Sequence, residues 1–147
     1  MSLLEGSARP LILALASVLF VDQISKRLVV RLVPERSVGW RWSVFSIRRV
    51  TVEDGGPSNR GHLCAAVAVL VLATLCGVLY LSLAAPGRGA ILPVALGSAV
   101  GGAASNLFDR LRHRGIVDFI AVGFWPIFNL ADVAIVGGVL FMISFPA

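Results

Sequence analysis

The chain has 147 residues, of which 57% are hydrophobic and only 14% charged, and a formal net charge of +5. A soluble domain carries about 25% charged residues, so this composition excludes an ordinary water-soluble globule and points to membrane-spanning segments. The positive charge does not indicate nucleic acid: Lys and Arg sit between apolar runs, where they meet headgroups, and there is no groove-reading motif or aromatic-interleaved basic patch.

The first predicted span covers residues 10–33. Its uninterrupted apolar run, Pro10 to Val21, is only 12 residues. A spanning helix needs about 20, so this one reaches length only by taking in Asp22, Gln23, Ser25 and Lys26. Ionisable residues at membrane depth are costly and mark function by default. Asp22 and Lys26 stand at i,i+4, the spacing of a helical ion pair. Cleavage as a signal peptide after Ala14-Leu15-Ala16 is disfavoured, because too short an apolar region precedes it.

A polar extramembrane stretch follows at 34–61. Its Trp40-Arg41-Trp42 and Phe45 to Val52 segments read as short strands, ended by the turn signal Asp54-Gly55-Gly56-Pro57. The second span, 62–85, is cleanly apolar. Cys64 and Cys76 both lie in it, about 18 Å apart along a helix, beyond disulfide reach. They read as small buried apolar residues.

The third span, 90–108, is rich in small residues. Gly97, Gly101, Gly102, Ala103 and Ala104 let a neighbouring helix approach closely. A second extramembrane stretch, 109–127, holds Asp118 and a Trp125-Pro126 pair at interface depth. The fourth span, 128–145, has an apolar run of only 13 residues, Val133 to Phe145, and takes in Asn129 and Asp132. The expected architecture is one all-α membrane domain, 1–147, of four helices with a small extramembrane β-sheet at the interface. Parity of the spans puts Asp22, Asp109, Asp118 and Asp132 near one membrane face.

Two N-x-x-D units, Asn106 to Asp109 and Asn129 to Asp132, flank Asp118. At i,i+3 on a helix each Asn shares a face with its Asp. The bland alternatives are that a single Asn or Asp at a helix end is a cap, Asp118 at the start of a short helix, and that Asp22 and Lys26 form a structural ion pair. Jointly the residues suit a different task. Two carboxylates in one site cannot both ionise easily, so one keeps a proton. The ionised one can then take a proton from water while the other polarises a carbonyl, with no metal or cofactor. Ser105 is a poor nucleophile candidate, since the chain's two His, His62 and His113, are not near it in sequence. Residue types alone leave two classes open: a hydrolase, or a proton-coupled transporter using the carboxylates as a relay.

The motifs narrow this. Val21-Asp22-Gln23-Ile24-Ser25-Lys26, Gly101 to Arg110, Gly115-Ile116-Val117-Asp118-Phe119-Ile120 and Phe128-Asn129-Leu130-Ala131-Asp132 resemble, in order and approximate spacing, the motifs of the lipoprotein signal peptidases. The resemblance implies a monomeric multi-pass aspartyl protease of the bacterial inner membrane. It would remove signal peptides from prolipoproteins on the amino side of a diacylglyceryl-Cys. It implies Asp118 and Asp132 as the catalytic dyad and Asn106, Asp109, Arg110 and Asn129 as its supports. Asp22 and Lys26 would hold the first span to the site, and the 34–61 stretch would cradle the substrate among membrane lipids. Asp54-Gly55-Gly56 is the best match to the family's Asn-x-Gly-Ala-Ala-Phe segment, but Pro57-Ser58-Asn59 follows it, so a paralogue with another membrane substrate is an alternative. The resemblance also implies an active site at the outer face. The charge distribution opposes that: eleven of the thirteen Lys and Arg fall on the site side, which the positive-inside bias would place in the cytoplasm.

Overall fold

The computed structural model describes residues 2–34, 38–42, 45–53, 91–113 and 115–144. The described elements are helix α1 (Ser2–Leu32), strands β1 (Val38–Trp42) and β2 (Phe45–Glu53), helix α2 (Ile91–His113), strand β3 (Gly115–Val122) and helix α3 (Leu130–Ser144). The predicted span at 62–85, and with it the count of four, lies outside the described residues, as do Asp54, Cys64 and Cys76.

The helices are inverted relative to a soluble bundle. Leu13, Phe20, Leu32, Leu111 and Ile143 are all more than 60% exposed, whereas Asp22, Ser105 and Asn129 are completely buried. An apolar exterior on this scale exceeds what a soluble monomer tolerates. Of the described helices, Ile91–Arg112 is long and apolar enough to cross a bilayer, with 22 residues and a mean hydropathy of 1.5. Helix α3 is apolar but shorter, at 15 residues.

Small residues bring α2 against both neighbours. A Cβ on Gly101 would lie 2.7 Å from the Leu15 carbonyl of α1, and one on Gly102 would overlap the Ala131 carbonyl of α3. Leu96 and Ala99 then pack with Leu11, Val139 and Met142 in a three-helix core. Backbones this close carry their polar side chains into mutual reach.

The sheet has the order β1-β2-β3 and is antiparallel throughout. The third strand was not expected: residues 109–127 read as a connecting stretch, although Gly115 to Val122 is rich in β-branched and aromatic residues. Between β2 and β3 the register runs Ile47↔Ile120 and then Val50↔Asp118, so two residues, Arg48 and Arg49, oppose Phe119 alone. Such a bulge bends and twists its strand locally. Val29 of α1 and Val33, just beyond its end, pack on Phe119, with Ile47, Ile120 and Leu130 around them, which anchors the sheet to the helices.

One backbone connection sets up the site. After β3 the chain turns through Gly123, at φ 53°, with Trp125 N donating to Val122 O at 2.9 Å. It then returns so that Phe128 pairs with Ile120: Ile120 N donates to Phe128 O at 2.8 Å and Phe128 N to Ile120 O at 3.0 Å. Asn129 is thereby placed beside Asp118 at the start of α3.

Candidate active site

Asp132 occupies the first turn of α3, and Asn129 is the residue just before that helix. Asn129 Oδ1 accepts from Asp132 N at 3.1 Å, and Asp132 Oδ2 accepts from Asn129 N at 3.1 Å. This is a reciprocal cap that satisfies two otherwise orphan donors. The N-x-x-D unit at 129–132 therefore does not lie along one helix face, as its spacing suggested. Asn129 is non-helical, and the i,i+3 relationship is that of a capping box. Asn106 and Asp109, both inside α2, do share a helical face.

The cap leaves the Asn129 amide nitrogen free to act elsewhere. Nδ2 donates to Asp118 Oδ1 at 2.7 Å and to Asn106 Oδ1 at 3.2 Å. Asn106 Nδ2 in turn donates to Asp132 Oδ1 at 2.8 Å. Two asparagine amides thus bridge the two carboxylates.

Behind the bridge lies a buried charge cluster. Lys26 Nζ is 2.6 Å from Asp22 Oδ2 and 2.6 Å from Asp109 Oδ2, and it donates to Asn106 Oδ1 at 2.8 Å. The i,i+4 pair expected between Asp22 and Lys26 is formed, and Asp109 joins it. Because a cation addresses Asn106 Oδ1, the amide nitrogen must point the other way, at Asp132. Asp22 Oδ1 also accepts from Ala131 N at 2.9 Å, a further tie from α1 to the first turn of α3. Arg110 follows Asp109 in α2 and is half-buried.

Ser105 and Gln23 complete this cluster, and neither had been assigned a role from sequence. Ser105 Oγ donates to Asp22 Oδ2 at 2.7 Å, and Gln23 Nε2 donates to Ser105 Oγ at 3.0 Å and to Asp109 Oδ1 at 2.6 Å. A signal was present: Asp22, Gln23 and Lys26 on α1, and Ser105, Asn106 and Asp109 on α2, recur at helical spacing within apolar runs.

Asp118 is pushed up to about 6, first by burial away from water and further by the neighbouring Asp132 and Asp22 carboxylates; the Asn129 hydrogen bond and Lys26 pull it down. It holds a proton at a pH where an ordinary carboxylate has lost it. Asp132 accepts two N–H groups, from Asn129 N and Asn106 Nδ2, at the N-terminus of α3. The site thus combines a carboxyl that keeps its proton with a second carboxyl arranged as an acceptor. Among the described residues no group of three or more His, Cys, Asp or Glu is arranged to hold a metal.

Comparison with known proteins bears on this arrangement. The family model described as signal peptidase (SPase) II matches residues 14–145. The lipoprotein signal peptidase of Moorella thermoacetica is 36% identical over 138 residues, 90% of this chain and 89% of that protein. That of Pelotomaculum thermopropionicum is 36% identical over 132 residues, covering 87% and 85%. The Mycolicibacterium smegmatis lipoprotein signal peptidase is 31% identical over 146 residues, 92% of this chain and 60% of that longer protein. In fold, the chain is similar to a bacterial membrane enzyme solved by the in meso method, with a TM-score of 0.75 at 22% identity, covering 91% of this chain and 90% of that one.

Proposed function

The chain belongs to the signal peptidase II family, and from that premise we propose that Asp118 and Asp132 are its catalytic pair. It is a membrane-embedded aspartic endopeptidase that removes signal peptides from prolipoproteins. Family membership sets aside the proton-coupled transporter that residue types alone left open.

The observation that carries the dyad is the asparagine bridge. Asn129 to Asp118 at 2.7 Å and Asn106 to Asp132 at 2.8 Å, joined amide to amide at 3.2 Å, hold the two carboxyl groups in one site. In the proposed reaction Asp132 takes a proton from a water molecule, whose oxygen attacks the scissile carbonyl. Asp118 gives its proton to the carbonyl oxygen as negative charge develops there. Collapse of the tetrahedral intermediate breaks the C–N bond: the proton gained by Asp132 passes to the leaving amine, and Asp118 takes back a proton from one hydroxyl of the intermediate as the carbonyl re-forms, which restores the starting state. No covalent enzyme intermediate forms. Asn106 and Asn129 hold both carboxyls in place through the cycle.

The substrate's diacylglyceryl-Cys would lie in lipid beside the helices, with the extended peptide against the sheet. We further propose a multi-pass monomer with four spans and both termini in the cytoplasm, its site near the outer face of the inner membrane. The Arg residues of the sheet region would then serve headgroups rather than set orientation.

The test is a gel-shift cleavage assay on a diacylglyceryl-modified prolipoprotein with the purified enzyme in detergent. Wild type is expected to cleave, and Asp118→Asn and Asp132→Asn are each expected to be inactive while folded. Cleavage by either folded variant would overturn the dyad.

A further inference from the structure

Two carboxylates, Asp22 and Asp109, share one ammonium, Lys26, in a buried site; the three side chains are no more than 5% exposed. The ammonium lies 2.6 Å from both Asp22 Oδ2 and Asp109 Oδ2 and donates a hydrogen bond to Asn106 Oδ1 at 2.8 Å. One negative charge is left without a cation, and in low dielectric it must be met by dipoles. Three donors meet it: Ser105 Oγ on Asp22 Oδ2, Gln23 Nε2 on Asp109 Oδ1, and Ala131 N on Asp22 Oδ1.

Ser105 is the pivotal donor, because its proton has one place to go. Gln23 Nε2 donates into Ser105 Oγ at 3.0 Å, so the hydroxyl proton is left for Asp22 at 2.7 Å. Asp22, held this way, leads to Asp132 along two routes. One runs through its hydrogen bond to Ala131 N, the residue before Asp132. The other runs through Lys26 and Asn106, whose Nδ2 reaches Asp132 Oδ1.

We infer that Ser105, oriented by Gln23, is a positioning residue for Asp132: its hydroxyl shares the Asp22 carboxylate with Lys26, which frees the ammonium to aim Asn106 at the reacting carboxylate. Without the hydroxyl, Asp22 Oδ2 has only Lys26, and the ammonium is drawn toward it and away from Asn106. Small misplacements of a reacting group cost rate heavily, on the order of 10²-fold for 1 Å. Ser105 touches neither substrate nor the pair, so the effect falls on turnover and not on substrate affinity. The inference rests on Asp132 being a member of the catalytic pair.

The experiment is steady-state cleavage of a diacylglyceryl-modified prolipoprotein by Ser105→Ala, Gln23→Leu and the double variant in detergent, with rates normalised to folded, monodisperse protein. Ser105→Ala is expected to lower kcat about ten-fold or more with KM within about two-fold of wild type. Gln23→Leu, which frees the hydroxyl to turn from Asp22, acts in the same direction. The double variant is expected to lower kcat by less than the product of the two single effects, because both act in part through one hydroxyl, while Gln23 also donates to Asp109. If both single variants turn over at the wild-type kcat, with only their thermal stability lowered, the residues are structural and the inference is overturned. An additive double variant overturns it as well. With Asp118→Asn and Asp132→Asn assayed alongside, the two failures separate. Inactive dyad variants beside a fully active Ser105→Ala remove only the positioning role, whereas an active Asp132→Asn removes the dyad first.

Discussion

Asn129 gives its side-chain nitrogen to Asp118 at 2.7 Å while its side-chain oxygen caps the helix that carries Asp132. One residue therefore fixes both carboxylates, and its two functions can be separated. Asn129→Ala removes both. The expected loss is about 1 kcal/mol of stability from the cap and a fall in kcat/KM of about ten-fold or more from the lost hydrogen bond to a reacting group. Asn129→Ser keeps a cap acceptor for Asp132 N but is too short to donate to Asp118, so stability should recover further than activity. Thermal melts beside cleavage kinetics check this, and wild-type activity in Asn129→Ser would show that the donor is not used.

The proton on Asp118 sets a pH dependence. With its carboxyl pushed up to about 6, chiefly by burial, the group acts as an acid below that pH and loses the role above it. The expected profile of kcat/KM falls as pH rises through about 6. Asn129 lowers this value by hydrogen bonding to the carboxylate, so in Asn129→Ala the falling limb should move to higher pH. Stability follows the same sign. The folded state holds this proton more tightly than the unfolded chain, so the contribution is full below the ordinary value of 3.8 and is lost as pH rises through about 6. Asp118→Asn cannot ionise and should lack that loss. Melting temperatures of the two proteins across pH 4 to 7 provide the comparison; parallel curves would contradict it.

Much of this site is legible before folding, and the reason is energetic. Asp22, Lys26, Asn106, Asp109 and Asp132 interrupt or border apolar runs, where polar groups persist only when satisfied by one another. The Asp22–Lys26 pair also follows directly from helical spacing. What the pattern could not supply is the partner across elements. Asp109 closing on Lys26, and Ser105 donating to Asp22, depend on how near Gly97 and Gly101 let α1 approach, which no local period encodes. The strand at Gly115–Val122 was missed for a related reason. Its pairing partners are Phe45 to Glu53, some seventy residues earlier, and only that pairing makes it a strand. Asn129 was read as a site residue on one helical face with Asp132, whereas it caps that helix while its amide reaches Asp118.

Lys26 is the counter-charge for two buried carboxylates, Asp22 and Asp109, so its removal is costly. Lys26→Met keeps the length and apolar stem but leaves Asp22 and Asp109 facing each other. Breaking a buried pair by removing one partner costs about 3–5 kcal/mol, so little folded protein should be recovered in detergent. Lys26→Met combined with Asp109→Asn removes one of the stranded charges and should recover part of the stability. It should not recover activity, because the donor that orients Asn106 is still missing. A Lys26→Met protein as stable as wild type in a thermal-shift assay would contradict the charge assignment.

Close helix packing provides a prediction with an internal control. A side chain at Gly102 would run into the backbone carbonyl of Ala131, which is bonded directly to Asp132 N. Gly102→Ala must therefore push α2 and α3 apart, lengthening the Asn106 to Asp132 contact as well as opening the core. Both activity and melting temperature are expected to fall, the stability loss being about 1–3 kcal/mol as for other overpacked sites. Gly137, on α3, has nothing within 4 Å of its would-be Cβ. Gly137→Ala should leave cleavage unchanged and stabilise the helix by about 0.5–1 kcal/mol, because alanine loses less backbone freedom on folding. Because both substitutions add the same methyl group to a helical glycine, a difference between them reports the contact and not helix propensity. Equal behaviour of the two variants in melts and cleavage assays would mean that α2 and α3 can separate at Gly102 without disturbing Asp132.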